Sequence, residues 1–250
     1  MLLLVALGAL VATNTVRGIR GRRVQERMAL ASDTTVTTEQ RALGIERRAT
    51  GPADAQKTSP AELRRRVANL ASGTYIDDIL AEQDSALYRW PERLHDAVRV
   101  YIEPSSDVAG WNPAYPAMAQ EVFDEWGVAG FPLRFAFVFD SSRADLSIRW
   151  RDRFPDQDGQ RIGVTERVQS SDFFIARAGV TIALHDSAGR VLSPTIVAGI
   201  VRHEVGHALG LNHANDPSSV MYREAATMTL SASDRATLRL LYLVPGGSLK

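Results

Sequence analysis

The segment from His203 to His213, which reads HEVGHALGLNH, constrains the fold of this chain more than any other part of its sequence. It contains three of the chain's five histidines. If the segment is helical, His203 and His207 lie four residues apart and project from the same face. Two imidazoles placed in this way can reach one cation, each at about 2.0–2.1 Å. The spacing therefore predicts a helix that carries two ligands of a metal ion.

The same segment predicts how a third ligand is supplied. Gly210 stands where the helix must end, and glycine allows the backbone to turn with a positive φ. Such a turn can bring His213 back toward the first two histidines. Three neutral imidazoles with one coordination position left open are typical of a catalytic zinc site. We therefore predict one catalytic zinc ion held by His203, His207 and His213.

Glu204, directly after the first histidine, is the predicted general base. Zinc lowers the pKa of its bound water to about 7, so a nearby carboxylate can accept a proton as that water attacks a carbonyl carbon. The carboxylate can then pass the proton to the leaving amine. On the other face of the helix, Val201, Val205 and Ala208 form an apolar stripe expected to pack on a sheet, so the ligand face should point toward a cleft. Together these residues predict metal-dependent amide hydrolysis.

Composition excludes several other kinds of site. The 250 residues include no cysteine, which rules out a disulfide scaffold, a thiol nucleophile and thiolate metal ligands. The 29 basic and 29 acidic residues balance, so nothing in the net charge suggests a nucleic-acid partner. Any metal must therefore be bound through nitrogen and oxygen.

Residues 1–16 form an apolar run, MLLLVALGALVATNTV. The run is shorter than the span of about 20 residues that a transmembrane helix needs, and it suits the apolar region of a signal peptide. Basic residues follow the run rather than precede it, which by the positive-inside rule would keep the downstream chain in the cytoplasm. We expect an export signal or an N-terminal membrane anchor, and hence an exported, extracellular protein. The alternative is a buried helix of the folded domain.

Residues 17–60 are predicted to form a basic, mostly disordered linker. From residue 17 to residue 66 there are twelve basic and six acidic side chains, with breakers at Gly51-Pro52 and Ser59-Pro60 and no sustained apolar periodicity. The alternative is a basic surface that binds anionic lipid or nucleic acid. The first aromatic residue is Tyr75, so this stretch offers no platform for base stacking.

From Ala61 onward the pattern predicts an α/β (α+β) fold in which a mixed sheet lies beside its helices. Strands are expected from alternating apolar residues at 98–102, 135–139, 146–150 and 180–184. Helices are expected at 61–70, 76–88, 114–126, 195–209 and 231–243. Ser231 and Asp234 form a plausible capping box for the last helix. Residues 61–88 would be a helical pro-segment or N-terminal extension before a domain at 89–245.

The segment LGLNHANDPSSVMY places Met221 eight residues beyond His213. With the histidine motif before it, the sequence resembles the metzincin metalloproteases and, within them, the matrixins. The later TLSASDRATLRLLY is similar to the C-terminal helix of that family. The resemblance extends roughly from Trp90 to Tyr242 and is strongest over Val201–Tyr222. It implies a zinc metalloendopeptidase in which Met221 forms a hydrophobic floor beneath the histidines.

The resemblance further implies a twisted mixed sheet, an active-site helix, a C-terminal helix and a small lower subdomain after the third histidine. Matrixins bind a protein or peptide substrate as an extended strand along an exposed sheet edge, and by chain order that edge is near Gly163–Val168. We expect a monomer, with membrane attachment, if any, through the N-terminus. Two alternatives are a zinc-binding interaction protein without turnover and a membrane-tethered scaffold that acts through its basic linker.

Some positions depart from the family pattern. Ala214 replaces the usual serine after the third histidine, and residues 223–225 replace the Pro-x-Tyr that forms one wall of the specificity pocket. For a structural zinc only His95 and His185 remain, and we expect these to be surface or strand-end residues.

Two further expectations concern calcium and latency. Asp156 and Asp158 are expected to lie in an ordinary turn before Gly159, and the alternative is that they bind calcium. The cysteine-switch prodomain of many matrixins is excluded, since there is no cysteine. If the enzyme is latent, either Asp77 or Asp78, or the bulk of residues 61–88, should cover the metal.

Overall fold

A five-stranded mixed sheet organises the protein, for which the computed structural model describes residues 58–92, 96–155, 161–224 and 227–250. The predicted apolar run 1–16 and nearly all of the predicted linker 17–60 lie outside these residues. So do His95 and the candidate calcium ligands Asp156 and Asp158. None of the helices formed by the described residues is long and apolar enough to cross a membrane.

Helices and strands are interspersed along the chain. In order they are α1 (Pro60–Leu70), α2 (Ile76–Glu82), β1 (Ala86–Leu87), β2 (Val98–Ile102), α3 (Tyr115–Gly127), β3 (Phe135–Val138), a short 3-10 helix (Ser141–Arg143), β4 (Leu146–Arg151), β5 (Gly163–Gln169), β6 (Ile175–Ala183), α4 (Pro194–Ala208), α5 (Ala232–Leu243) and β7 (Gly247–Ser248). This confirms the predicted α/β class.

The strand order of the sheet is β3-β2-β4-β6-β5. The first four strands run parallel to one another, and β5 pairs antiparallel with β6. β5 therefore lies at one edge, and it contains the residues Gly163–Val168 that were expected there. The alternation predicted for β2 is also present, since Val98, Val100 and Ile102 are buried while Arg99 is exposed.

The core fills the space between this sheet and the helices α3 and α4. Val122, Phe123 and Trp126 of α3 are buried, and the indole Nε1 of Trp126 donates a hydrogen bond of 3.1 Å to the carbonyl oxygen of Arg202. The predicted apolar stripe of α4, which contains Val201, is likewise buried. The two helices are thus joined by apolar packing and by a hydrogen bond to the backbone of α4.

Serine side chains begin three of the helices. Ser59 accepts a hydrogen bond from the third residue of α1, and Ser193 does the same for α4. At α5 the predicted capping box is confirmed, because Ser231 accepts from the backbone N–H of Asp234 while the Asp234 carboxylate accepts from the backbone N–H of Ser231. These caps satisfy N–H groups that have no partner within the helix.

The helix predicted at 76–88 is too long, because α2 ends at Glu82. Asp84 and Ser85 have φ angles of 53° and 64°, which break the helix. Ala86–Leu87 then pair antiparallel with Gly247–Ser248 near the chain's C-terminal end. Pairing with a strand that is distant in sequence therefore makes Ala86–Leu87 a strand, although their local composition favours a helix.

Helices α1 and α2 share the hydrophobic core of the sheet. Leu63 of α1 and Ile76 and Ile79 of α2 are almost fully buried in it. The backbone N–H of Tyr75 also donates a hydrogen bond of 3.0 Å to Oγ1 of Thr237 in α5. The boundary predicted near residue 88 stays a prediction, and the segment before it packs directly on the segment after it.

Candidate metal centre

The predicted ligands converge at the end of α4. His203 and His207 lie one turn apart on the helix, and their Nε2 atoms are 3.0 Å apart. Gly210 has a φ of 110° and turns the chain, which brings His213 to the same place. One ring nitrogen from each histidine lies within 4.8 Å of the other two. The structure thus brings together the three residues that the sequence motif predicted.

The end of α4 is fixed by side chains from elsewhere in the chain. Trp90 Nε1 donates a 2.9 Å hydrogen bond to the carbonyl oxygen of Ala208, and the Tyr242 hydroxyl donates one of 2.9 Å to that of Leu209. These bonds satisfy carbonyl groups that a helix leaves unpaired at its C-terminus. At Gly210 a Cβ atom would lie 2.6 Å from the Tyr88 carbonyl oxygen, so glycine is required there both by conformation and by space.

Backbone carbonyls orient the two histidines of α4. His203 Nδ1 donates a 2.6 Å hydrogen bond to the carbonyl oxygen of Val220, and His207 Nδ1 donates one of 2.9 Å to that of Leu211. A carbonyl oxygen can only accept, so the proton of each ring lies on Nδ1 and the lone pair lies on Nε2. This is the arrangement by which proteins commonly orient metal-bound histidines.

The third histidine is oriented by a carboxylate. His213 Nδ1 lies 2.8 Å from Glu82 Oε1, and the backbone N–H of His213 donates a 3.0 Å hydrogen bond to Glu82 Oε2. Arg223 donates a further 2.8 Å hydrogen bond to Glu82 Oε1. Burial opposes ionisation of Glu82, but its hydrogen bonds and electrostatic interaction with His213, together with the charge of Arg223, outweigh it and lower its pKa to about 2. Glu82 precedes His213 by 131 residues and belongs to no local motif, so no sequence pattern indicated it.

Burial keeps the imidazoles of α4 neutral. It lowers the pKa of His203 to about 3 and that of His207 well below the usual value, because the charged forms lose their hydration and repel one another. His213 Nε2 is also buried, and it has no hydrogen-bond partner among the described residues. Neutral imidazoles with unused Nε2 lone pairs are what a divalent metal ion requires. The donor set therefore fits one metal ion.

Glu204 lies beneath the edge strand β5. Its side chain is fully buried, which raises its pKa to about 8. Thr165 Oγ1 lies 2.7 Å from Glu204 Oε2, while Oε1 is buried and finds no donor within the ranges that the structure describes. A Cβ atom at Gly163 would overlap Oε1, so the backbone of β5 passes very close to this carboxylate. The ligand face of α4 is therefore covered by β5 and the following loops, which is more burial than the sequence predicted.

Met221 packs directly against the helix that carries the ligands. Its side chain is fully buried, and a Cβ atom at Gly206 would overlap its sulfur. The turn that contains Met221 returns to the third ligand, because Ala214 N–H donates a 3.0 Å hydrogen bond to the Met221 carbonyl oxygen. The structure thus places Met221 against Gly206 of α4, and its role as a floor beneath the histidines stays a prediction.

The carboxylate of Asp234 in α5 stabilises the turn that contains Met221. This carboxylate accepts hydrogen bonds from the Ser219 hydroxyl and, at 3.0 Å, from the Val220 N–H. Val220 is also the residue whose carbonyl orients His203. The capping carboxylate of the C-terminal helix is therefore connected through one residue to a metal ligand.

Other acidic and histidine residues that the sequence singled out lie elsewhere. Asp78 accepts hydrogen bonds from both the backbone and the side chain of Asn215, and Asp77 is exposed. His185 follows β6, and its Nδ1 lies 2.8 Å from Asp152 Oδ1. Among the described residues, the side chains grouped around His203 that could hold a metal ion are all histidines, and neither Asp77 nor Asp78 belongs to this group.

Comparison with known proteins identifies the family. A family model described as matrixin, of peptidase family M10, matches residues 112–243, which is more than half of the chain. The chain belongs to the matrixin family. The three histidines, Glu204 and Met221 all lie in the matched region of this matrixin, whereas Glu82 lies outside it.

Two individual proteins are also similar to this matrixin. The "Putative matrix metalloproteinase" of Heliothis virescens ascovirus 3e is 27% identical over an alignment of 115 residues, and the match covers 41% of this chain and 24% of that protein. The chain therefore matches about a quarter of that relative's length. The solved structure titled "GM1 bound form of the ECX AB5 holotoxin" aligns with a TM-score of 0.45 and 16% identity over 67% of this chain and 87% of that one.

Proposed function

We propose that this matrixin is a zinc-dependent metalloendopeptidase that hydrolyses peptide bonds of protein substrates. The observation that carries the proposal is the convergence of three buried imidazoles whose Nδ1 atoms are all hydrogen-bonded, which directs the three Nε2 atoms at one point. Zinc in such a site supplies Lewis-acid chemistry, since it polarises a carbonyl group and makes water easier to deprotonate.

Glu204 is the proposed general base. It is next to His203 on α4, and its Oε1 has an unused lone pair that can accept a proton from the attacking water. The same oxygen can then donate that proton to the leaving amine nitrogen. Thr165 bonds the other carboxylate oxygen, so the rotation of the carboxylate is restricted before the substrate arrives.

A peptide substrate is proposed to bind along β5. An edge strand leaves one row of backbone N–H and carbonyl groups without a strand partner, so an extended peptide can extend the sheet there. Glu204 contacts the same strand through Thr165 and Gly163, which supports a peptide position near the proposed base. We also propose that the protein acts outside the cytoplasm, on the basis of the apolar run at residues 1–16.

The test compares the wild type with Glu204→Gln, which keeps the size of the side chain but cannot act as a base. We expect about one zinc per chain in both proteins by metal analysis, and cleavage of an unstructured protein by the wild type. General-base catalysis is typically worth about 10²–10⁴-fold in rate, so kcat should fall by that factor in the variant. A zinc-loaded wild type that leaves unstructured proteins intact, or equal rates for both proteins, would contradict the proposal.

A further inference from the structure

Helix α2 contacts the third-histidine loop through two carboxylates one turn apart. Glu82 accepts hydrogen bonds from the ring and backbone of His213, and Asp78 accepts from the backbone N–H of Asn215 at 2.9 Å and from its side-chain amide at 2.7 Å. Residues four apart lie on one helix face, so a single face of α2 binds alternate residues of this loop. The loop that carries the third histidine is thus held by α2 at two positions, His213 and Asn215.

A second set of contacts continues from α2 behind the loop. The side-chain amide of Gln83 lies 2.6 Å from Asn212 Oδ1, which also accepts a 2.8 Å hydrogen bond from the buried Arg167. Arg167 in turn donates to the carbonyl oxygen of His207 at 3.3 Å. This network connects α2 to two of the three ligands through residues of β5 and of the loop after α4.

The contact made by Glu82 supports the metal site without covering it. Glu82 binds Nδ1 of His213, whereas the Nε2 atom of that ring is the one with no partner among the residues described. Helix α2 is itself fixed, because Ile76 and Ile79 are buried in the core and Tyr75 is hydrogen-bonded to Thr237. A pro-segment that only blocked the cleft would not need to bind Nδ1 of His213, the ring nitrogen that is not available to the metal.

We propose that Glu82 is a positioning residue of the metal centre and that α2 is a permanent part of the active enzyme. In this arrangement the carboxylate fixes the ring of His213 so that its Nε2 faces the other two ligands. The segment predicted as a pro-segment, residues 61–88, is then not removable, since removing it would remove the acceptor for one ligand. The inference rests on the proposed zinc site.

The first experiment measures zinc affinity by competition with a chromophoric chelator. Glu82→Gln keeps the side chain's size but removes its charge, and Asp77→Asn is a matched change at an exposed position of the same helix. Loss of a partner that orients a ligand typically costs about 10–100-fold in metal affinity, so we expect that loss for Glu82→Gln and no change for Asp77→Asn. The visible spectrum of the cobalt-substituted protein should also change only in Glu82→Gln.

A double-mutant cycle separates positioning from general destabilisation. In a His213→Ala background, Glu82→Gln should cause no further loss of zinc affinity, because the ring that it orients is gone. An equal loss in both backgrounds would assign Glu82 a merely structural role. A folded Glu82→Gln that binds zinc as tightly as the wild type would overturn the proposal. A wild type that binds no zinc would instead contradict the proposed zinc site itself.

The second experiment identifies the N-terminus of the active species. The full chain is incubated until it cleaves an unstructured protein, and the active fraction is analysed by intact mass. We expect every active species to retain Glu82, whatever is lost before residue 60. An active species that begins after Glu82 would refute the permanent role of α2.

Discussion

Asp234 allows a quantitative test of how the C-terminal helix supports the metal centre. Its buried carboxylate accepts hydrogen bonds from the Ser219 hydroxyl, the Val220 N–H and the Ser231 N–H. Asp234→Ala leaves these donors without their acceptor. An unsatisfied buried donor costs about 1–3 kcal/mol, and loss of a capping interaction costs about 1 kcal/mol. With two buried donors and one cap affected, the free energy of unfolding should fall by roughly 3–7 kcal/mol.

The assay is urea unfolding of the zinc-free protein followed by tryptophan fluorescence. The matched control is Ser231→Ala, which removes the cap to the Asp234 N–H and leaves the carboxylate in place, so it should cost only about 1 kcal/mol. Zinc affinity should also weaken in Asp234→Ala, since Val220 orients His203. If both variants lose the same stability, or if zinc affinity is unchanged in Asp234→Ala, the proposed connection between α5 and the ligand is wrong.

Three further changes test the packing and chemistry of the site. Gly206→Ala would overlap the Met221 sulfur, so we expect a loss of about 1–3 kcal/mol in urea unfolding; an unchanged midpoint would contradict this packing. Thr165→Val removes the hydroxyl that bonds Glu204, and steady-state kinetics should show a lower kcat at unchanged zinc content; an unchanged kcat would argue against orientation of the carboxylate. Chelation with phenanthroline should abolish cleavage and added zinc should restore it, and activity that survives chelation would exclude a metal-dependent reaction.

The parts of the site that could be predicted from sequence are those set by near neighbours in the chain. His203 and His207 share a helix face because of their spacing, and Gly210 ends that helix because of its conformation. The capping box of Ser231 and Asp234 likewise depends on residues three apart. Each of these features is decided within one or two helical turns, so the pattern alone was sufficient.

The features that could not be predicted depend on residues that are distant in sequence. Ala86 and Leu87 have helix-favouring composition, yet pairing with Gly247–Ser248 makes them a strand. Tertiary contacts override weak local propensity in this way. Glu82 is a similar case, because nothing in its own neighbourhood indicates that it binds a histidine 131 residues away.

The motif therefore provides the proposed ligands, while their orientation depends on acceptors spread over the chain. His203 depends on the turn before Met221, His207 on the turn that follows its own helix, and His213 on Glu82. Only the acceptor for His207 lies within the motif itself. Because each such partner affects metal affinity by about 10–100-fold, an intact histidine motif does not by itself guarantee a tight metal site. A matrixin with this motif but without a carboxylate behind its third histidine should bind zinc more weakly, unless another acceptor takes that position.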